Sequence, residues 1–165
     1  MIPLYLSINR SIISILSMLG ALTNNFNLSN LSLQDIYLDE PCCLQLCNGL
    51  AQCNTLKYLN LENCHMGASG SALITSRVRN LSSRLQHLNL NNNSMGPIAA
   101  IYIGEALLNE NCTIHTIRLA NNDLIEDGGS FIAKSLIGNL SGKLYNTYFN
   151  IYICTYECDM MMYDA

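Results

Sequence analysis

A spacing pattern that returns at a constant step constrains this chain more than anything else in it. In residues 85 to 95, LQHLNLNNNSM, Leu85, Leu88 and Leu90 are followed by Asn93 and Met95. Upstream, LKYLNLENCHM sets Leu56, Leu59, Leu61, Cys64 and Met66 at the same relative positions. Downstream, IHTIRLANNDL does so with Ile114, Ile117, Leu119, Asn122 and Leu124. From Leu56 to Leu85 and from Leu85 to Ile114 the step is 29 residues each time. Self-similarity at such a period marks units that cannot bury their apolar face alone and must stack to do so.

The rest of each unit repeats as well. After Met66 the chain reads GASGSALITSRV, after Met95 GPIAAIYIGEALL, and after Leu124 IEDGGSFIAKSLI. In this alignment Gly70, Ala99 and Gly128 coincide, as do Ile74, Ile103 and Ile132, and then Val78, Leu107 and Leu136. Small residues come first, where a helix must approach a strand layer closely, and large aliphatics follow, where it fills space. Each unit is therefore expected to be one short strand and one helix. Residues 28 to 38, LSNLSLQDIYL, add a further copy through Leu28, Leu31, Leu33 and Leu38, with Ile36 in the Asn or Cys slot. Asp39, Glu40 and Pro41 then supply helix-start chemistry ahead of CCLQLCNGLAQC, whose apolar residues fall on one helical face.

These residues match the signature L-x-x-L-x-L-x-x-N/C-x-L, and the chain resembles the ribonuclease-inhibitor-like class of leucine-rich repeats. NACHT-type immune sensors, Ran GTPase-activating protein and several ciliary or centrosomal proteins carry arrays of this class. The resemblance implies an α/β fold: a right-handed solenoid of about five repeats bent into a horseshoe arc, with parallel strands on the concave face and helices on the convex face. The Asn or Cys slot would form a hydrogen-bonded ladder through Cys64, Asn93 and Asn122, with Asn9 a further rung if the first residues form a repeat. The resemblance specifies a scaffold rather than an activity.

Three segments are expected. Residues 28–143 form the repeat array. Residues 1–27 read as a degenerate N-terminal repeat or cap, with a signal or anchor segment and a disordered end as the alternatives; the apolar run Ser11 to Leu22 is too short to span a bilayer. Residues 144–165 are an irregular aromatic-rich tail, either a ragged last strand or unstructured. Counting the pattern on from Leu144 would put Thr147 and Phe149 in leucine slots and Tyr152 in the Asn or Cys slot.

Composition narrows the function. With 8 Lys plus Arg against 12 Asp plus Glu, the formal net charge of −4 argues against a nucleic-acid binder. Arg77, Arg79 and Arg84 read as a solvated helix face and loop, with a partner contact as the alternative. Cys42, Cys43, Cys47 and Cys53 fall at helical spacing and Cys64 in a repeat slot, a placement that suits small buried hydrophobes of a reducing, cytoplasmic compartment rather than a disulfide framework. Cys154 and Cys158 lack a second ligand pair, so no metal site is expected. Sequons such as Asn80, Asn92 and Asn111 are what an Asn- and Ser-rich chain contains by composition.

Side chains alternate along a strand. The positions between the leucines therefore face away from the core: Asn30, Ser32, Gln34 and Asp35, then Tyr58, Asn60, Glu62 and Asn63, then His87, Asn89, Asn91 and Asn92, then Thr116, Arg118, Ala120 and Asn121. Of these, Tyr58, Asn60, Glu62, His87, Asn89, Asn91, Thr116 and Arg118 are the candidate partner-binding residues. Tyr and Arg are types that carry interface energy, and amides bond adaptably. The plainer alternative is a merely soluble sheet face. No G-x-S-x-G, P-loop or H-E-x-x-H motif occurs, and His65, His87 and His115 have no implied acidic partner. The expectation is a non-catalytic module that binds another protein, with no cofactor, nucleic acid or membrane. A GTPase regulator and a structural fragment of a longer array are the alternatives. On this facing, Leu90→Ala should cost roughly 2–5 kcal/mol, and Asn89→Ala under about 0.5 kcal/mol.

Overall fold

The computed structural model describes residues 28–140 and 150–152. The N-terminal repeat or cap expected over residues 1–27, Asn9 with it, lies outside the described residues, as does the tail after residue 143 apart from one strand. Strands β1 (Asn30–Ser32), β2 (Tyr58–Asn60), β3 (His87–Asn89), β4 (Thr116–Arg118) and β5 (Asn150–Tyr152) alternate with helices α1 (Glu40–Gln52), α2 (Gly67–Leu81), α3 (Pro97–Leu108) and α4 (Ile125–Leu140). The strands form one sheet in chain order, and every neighbouring pair is parallel. Neighbouring helices pack in the same order.

The register follows the recurring spacing. Leu31 pairs with Leu59, Leu59 with Leu88, and Leu88 with Ile117. All four are buried, together with Leu33, Leu61, Leu90 and Leu119 one pleat further on. Ile74, Val78, Ile103, Leu107 and Ile132 meet this layer from the helices and complete one continuous core. The small residues act as the alignment implies. A Cβ on Gly70 would stand 2.9 Å from the Cys43 sulfur, and one on Gly128 would stand 2.9 Å from Cβ of Ala100. Helices α3 and α4 meet tightly at Gly104, where an added Cβ would press on the Phe131 ring.

Helix α1 begins on Asp39, whose carboxylate accepts a 3.0 Å bond from the Cys42 N–H, with Pro41 in the first turn. Hydrogen bonding from the Cys42 side chain, followed by that from its N–H, holds the Asp39 carboxyl below its ordinary pKa.

Between β-strand and helix the chain bends on a side-chain ladder. Asn93 Oδ1 accepts from the Cys64 N–H at 3.0 Å, while its Nδ2 donates to the carbonyls of Leu61, Leu90 and Asn91 at 2.7–3.0 Å. Asn122 repeats the arrangement. It accepts from the N–H groups of Asn93 and Met95 and donates to Leu90, Leu119 and Ala120. The Cys64 thiol donates to the Leu33 carbonyl at 3.1 Å, a shorter rung. An isoleucine side chain has no such donor, so Ile36 adds none. A second row runs alongside: Asp35, Asn63, Asn92 and Asn121 all take φ between 55° and 62°, a left-handed conformation that Asn and Asp tolerate best among non-glycine residues. Asn63 donates to Asp35 at 2.8 Å and Asn121 to Asn92 at 2.7 Å.

The last strand differs from its expected position. Ile117 pairs with Ile151, not with Thr147. Helix α4 has 16 residues against 12 in α3, and β5 starts ten residues after α4 ends, where β4 starts eight after α3. From Thr116 to Asn150 the step is 34 residues, four more than the 30 counted from Ile114 to Leu144, and a β-branched aliphatic, Ile151, pairs opposite Ile117.

Candidate functional site

On the sheet face away from the helices, β2, β3 and β4 underlie an open hollow of about 200 Å³ lined by Tyr58, His87, Leu88, Asn89, Thr116 and Arg118. Parallel pairing builds it. Tyr58, His87 and Thr116 are register partners, and Asn89 is the partner of Arg118. The strand alternation that sends Leu59, Leu88 and Ile117 into the core points these neighbours outward. His87 and Arg118 are exposed, while Tyr58 and Thr116 are half-buried. The rings form a row, with Tyr58 and His87 6.1 Å apart between centroids and His87 edge-on to His115 at 6.4 Å. Although much of the His87 side chain meets solvent, its partial desolvation, followed by the neighbouring His115, lowers its pKa from the ordinary 6.5.

The eight residues singled out from the sequence fall into two sets. Tyr58, His87, Thr116 and Arg118 come together at the hollow. Asn60, Glu62, Asn89 and Asn91 instead direct their polar groups into the fold. Asn60 is 6% exposed and Asn89 7%, so both are buried where a free outward amide was expected. Each uses Oδ1 to accept the N–H two residues on, from Glu62 at 3.0 Å and from Asn91 at 3.1 Å. Asn60 Nδ2 donates to Gln34 at 3.2 Å, and Asn89 Nδ2 to Glu62 at 2.8 Å. Asn91 Oδ1 accepts from the Ala120 N–H at 2.8 Å. The small cost expected for Asn89→Ala is corrected accordingly, because a short amide beside a strand end closes on the local backbone before it reaches solvent. The recurrence of Asn between the second and third leucines of two successive units is the signal that marks this role.

The remaining polar clusters are structural. Arg79 pairs with Glu105 at 2.8 Å and lies 5.7 Å from the Tyr102 ring centre, and Arg84 bonds Asn54 at 2.7 Å. The Arg79 pair is exposed and contributes little. Burial is the main cause that pushes the thiols up, to about 11 for Cys42 and about 12 for Cys43 and Cys64. They are neutral side chains of the core rather than nucleophiles. Among the described residues no group of three or more His, Cys, Asp or Glu could hold a metal ion, and no helix is long and apolar enough to cross a membrane.

No curated protein matches the chain. A family model described as Leucine Rich repeat matches residues 52–72, a span running from the end of α1 through β2 into α2. That match, with its spacing carried on into the β3 and β4 units, supports the leucine-rich-repeat family and an α/β repeat fold for this chain.

Proposed function

We propose that the chain is a non-catalytic protein-interaction module of the ribonuclease-inhibitor-like type, a right-handed solenoid that offers the polar face of its sheet to a protein partner. Hydrogen-bonded strands lie about 4.8 Å apart, while packed helices need 8–10 Å. Units that alternate the two open into an arc with the strands inside. The observation that carries the reading is the hollow over β2, β3 and β4, where Tyr58, His87, Thr116 and Arg118 converge on a backbone held by the asparagine ladder. A rigid scaffold loses little entropy on binding, and Tyr and Arg are the side chains on which interface energy concentrates. A reducing, cytoplasmic setting fits a core with five buried free thiols among the described residues. Affinity capture from cell extract compares the wild type with a Tyr58→Ala, Arg118→Ala double variant. Partner recovery is expected to fall at least about tenfold, the result of losing about 1.4 kcal/mol, with the melting temperature little changed. Equal recovery from both proteins would remove this face from the proposal.

A further inference from the structure

The edge of the sheet where each strand bends over into its helix carries a second exposed feature, apart from the hollow. Tyr37, at the bend after β1, is 59% exposed, and among the described side chains it is the one tyrosine or phenylalanine on the open surface. The chain on either side of it is anchored, because Ile36 and Leu38 are buried, so the ring is held out rather than loose. His65, in the equivalent place one unit on, is exposed too. The two ring centroids stand 6.1 Å apart with the planes tilted by 33°, and among the described residues this is the only ring contact of Tyr37.

The charge around the pair has one sign. Residues 28–56 contain Asp35, Asp39 and Glu40 and no Lys or Arg. Asp39 is committed to the start of α1. Asp35, two residues before Tyr37, accepts from the Asn63 amide at 2.8 Å, and Glu40, three residues after it, has no ion pair among the described residues. The bases of the next unit are turned away. Lys57 precedes β2, and Arg77 and Arg79 lie in the last two turns of α2, at the far end of strand and helix from the bend. An exposed ring with a carboxylate on either side and no competing cation is complementary to a flat positive group.

We propose that the Tyr37–His65 edge receives an arginine side chain of a protein partner, with its guanidinium over the Tyr37 ring and its N–H fork on the Asp35 carboxylate, while Glu40 adds to the attraction. Arginine fits better than lysine because its planar group stacks on a ring and still presents donors at its edge. This surface is separate from the hollow over β2, β3 and β4, so its failure leaves the interaction reading above in place.

The test titrates the full chain with three short peptides and follows the NMR signals of backbone and side chains. The probes are Ac-Gly-Arg-Arg-Gly-NH2 and its analogues with lysine and with citrulline, which keeps the shape of arginine without its charge. The arginine peptide is expected to bind at least about fivefold tighter than the citrulline peptide, and about twofold tighter than the lysine peptide. Shifts should concentrate at Asp35, Tyr37, Glu40 and His65. Tyr37→Leu, a surface change, should remove the advantage over lysine. Asp35→Asn, which suits the left-handed backbone there, should lower the advantage over citrulline. Equal binding of the arginine and citrulline peptides overturns the charge complementarity, and equal binding of the arginine and lysine peptides overturns the stacked guanidinium. Preferences unchanged in both variants, shifts at Tyr58, His87 and Thr116 instead, or no shifts at all overturn the site, while the capture experiment judges the hollow by itself.

Discussion

Asparagine does two different jobs on neighbouring positions of this chain, and mutation separates them. Asn93→Ala removes four bonds at once: it strands the Leu61 carbonyl and the Cys64 N–H, and leaves the Leu90 and Asn91 carbonyls with one donor each, from Asn122 and from the Asn63 N–H. With each of the two buried orphans worth about 1–3 kcal/mol, a loss of at least about 2 kcal/mol is expected. Asn89→Ala strands only the Asn91 N–H and one end of Glu62, and about 1–3 kcal/mol is expected. Urea denaturation of both variants beside Leu90→Ala checks the order; an Asn89→Ala midpoint equal to wild type would show that its bonds carry nothing. The ladder slots were legible because an Asn or Cys recurs at a fixed step where the chain bends, at Cys64, Asn93 and Asn122. The anchoring of Asn60 and Asn89 was not, because alternation alone sends every intervening residue outward and is silent about short-range bonding. His87 adds a pH signature. The unfolded imidazole takes up its proton near 6.5 and the folded one at lower pH. Stability should therefore decline as pH falls below about 6.5 and level off below the folded value. Thermal melts of His87→Gln across this range should lack that component; an unchanged profile would assign it to another group.

At the scale of elements, strand positions and helix starts could be read in advance, since the leucine spacing sets β1 to β4 and Asp39 with Pro41 opens α1. The position of β5 could not, because the length of α4 and of the chain after it breaks the constant step. How tightly α3 meets α4 was equally hidden, and Gly104 is where it shows. Alanine in an exposed helix would gain about 1 kcal/mol over glycine. At this position its Cβ would press on the Phe131 ring and stand 2.8 Å from the Ser135 hydroxyl, and overpacking of this kind costs about 1–3 kcal/mol. Gly104→Ala is expected to destabilise by about 1 kcal/mol net in calorimetry. A stabilised variant would mean that the two helices separate more easily than their contact implies.

Across the molecule, among the described residues, each strand pairs and each helix packs only with its neighbour in the array. Stability in such an array is a sum of unit and neighbour contributions, so it varies along the chain. β2 and β3 are flanked on both sides by strands of the regular repeat. Their amides are expected to exchange with deuterated water most slowly, and those of β5 fastest among the strands. Faster exchange in β3 than in β5 would contradict a core shared through nearest neighbours.

The buried thiols give such openings a built-in chemical stopwatch. Cys42, Cys43 and Cys47 sit on the buried face of α1, and Cys64 lies at the bend after β2. A water-soluble alkylating reagent can reach them only while that stretch of the array has come apart. The order in which these four sulfurs acquire the label would therefore record which unit peels away first, with no probe added to the protein.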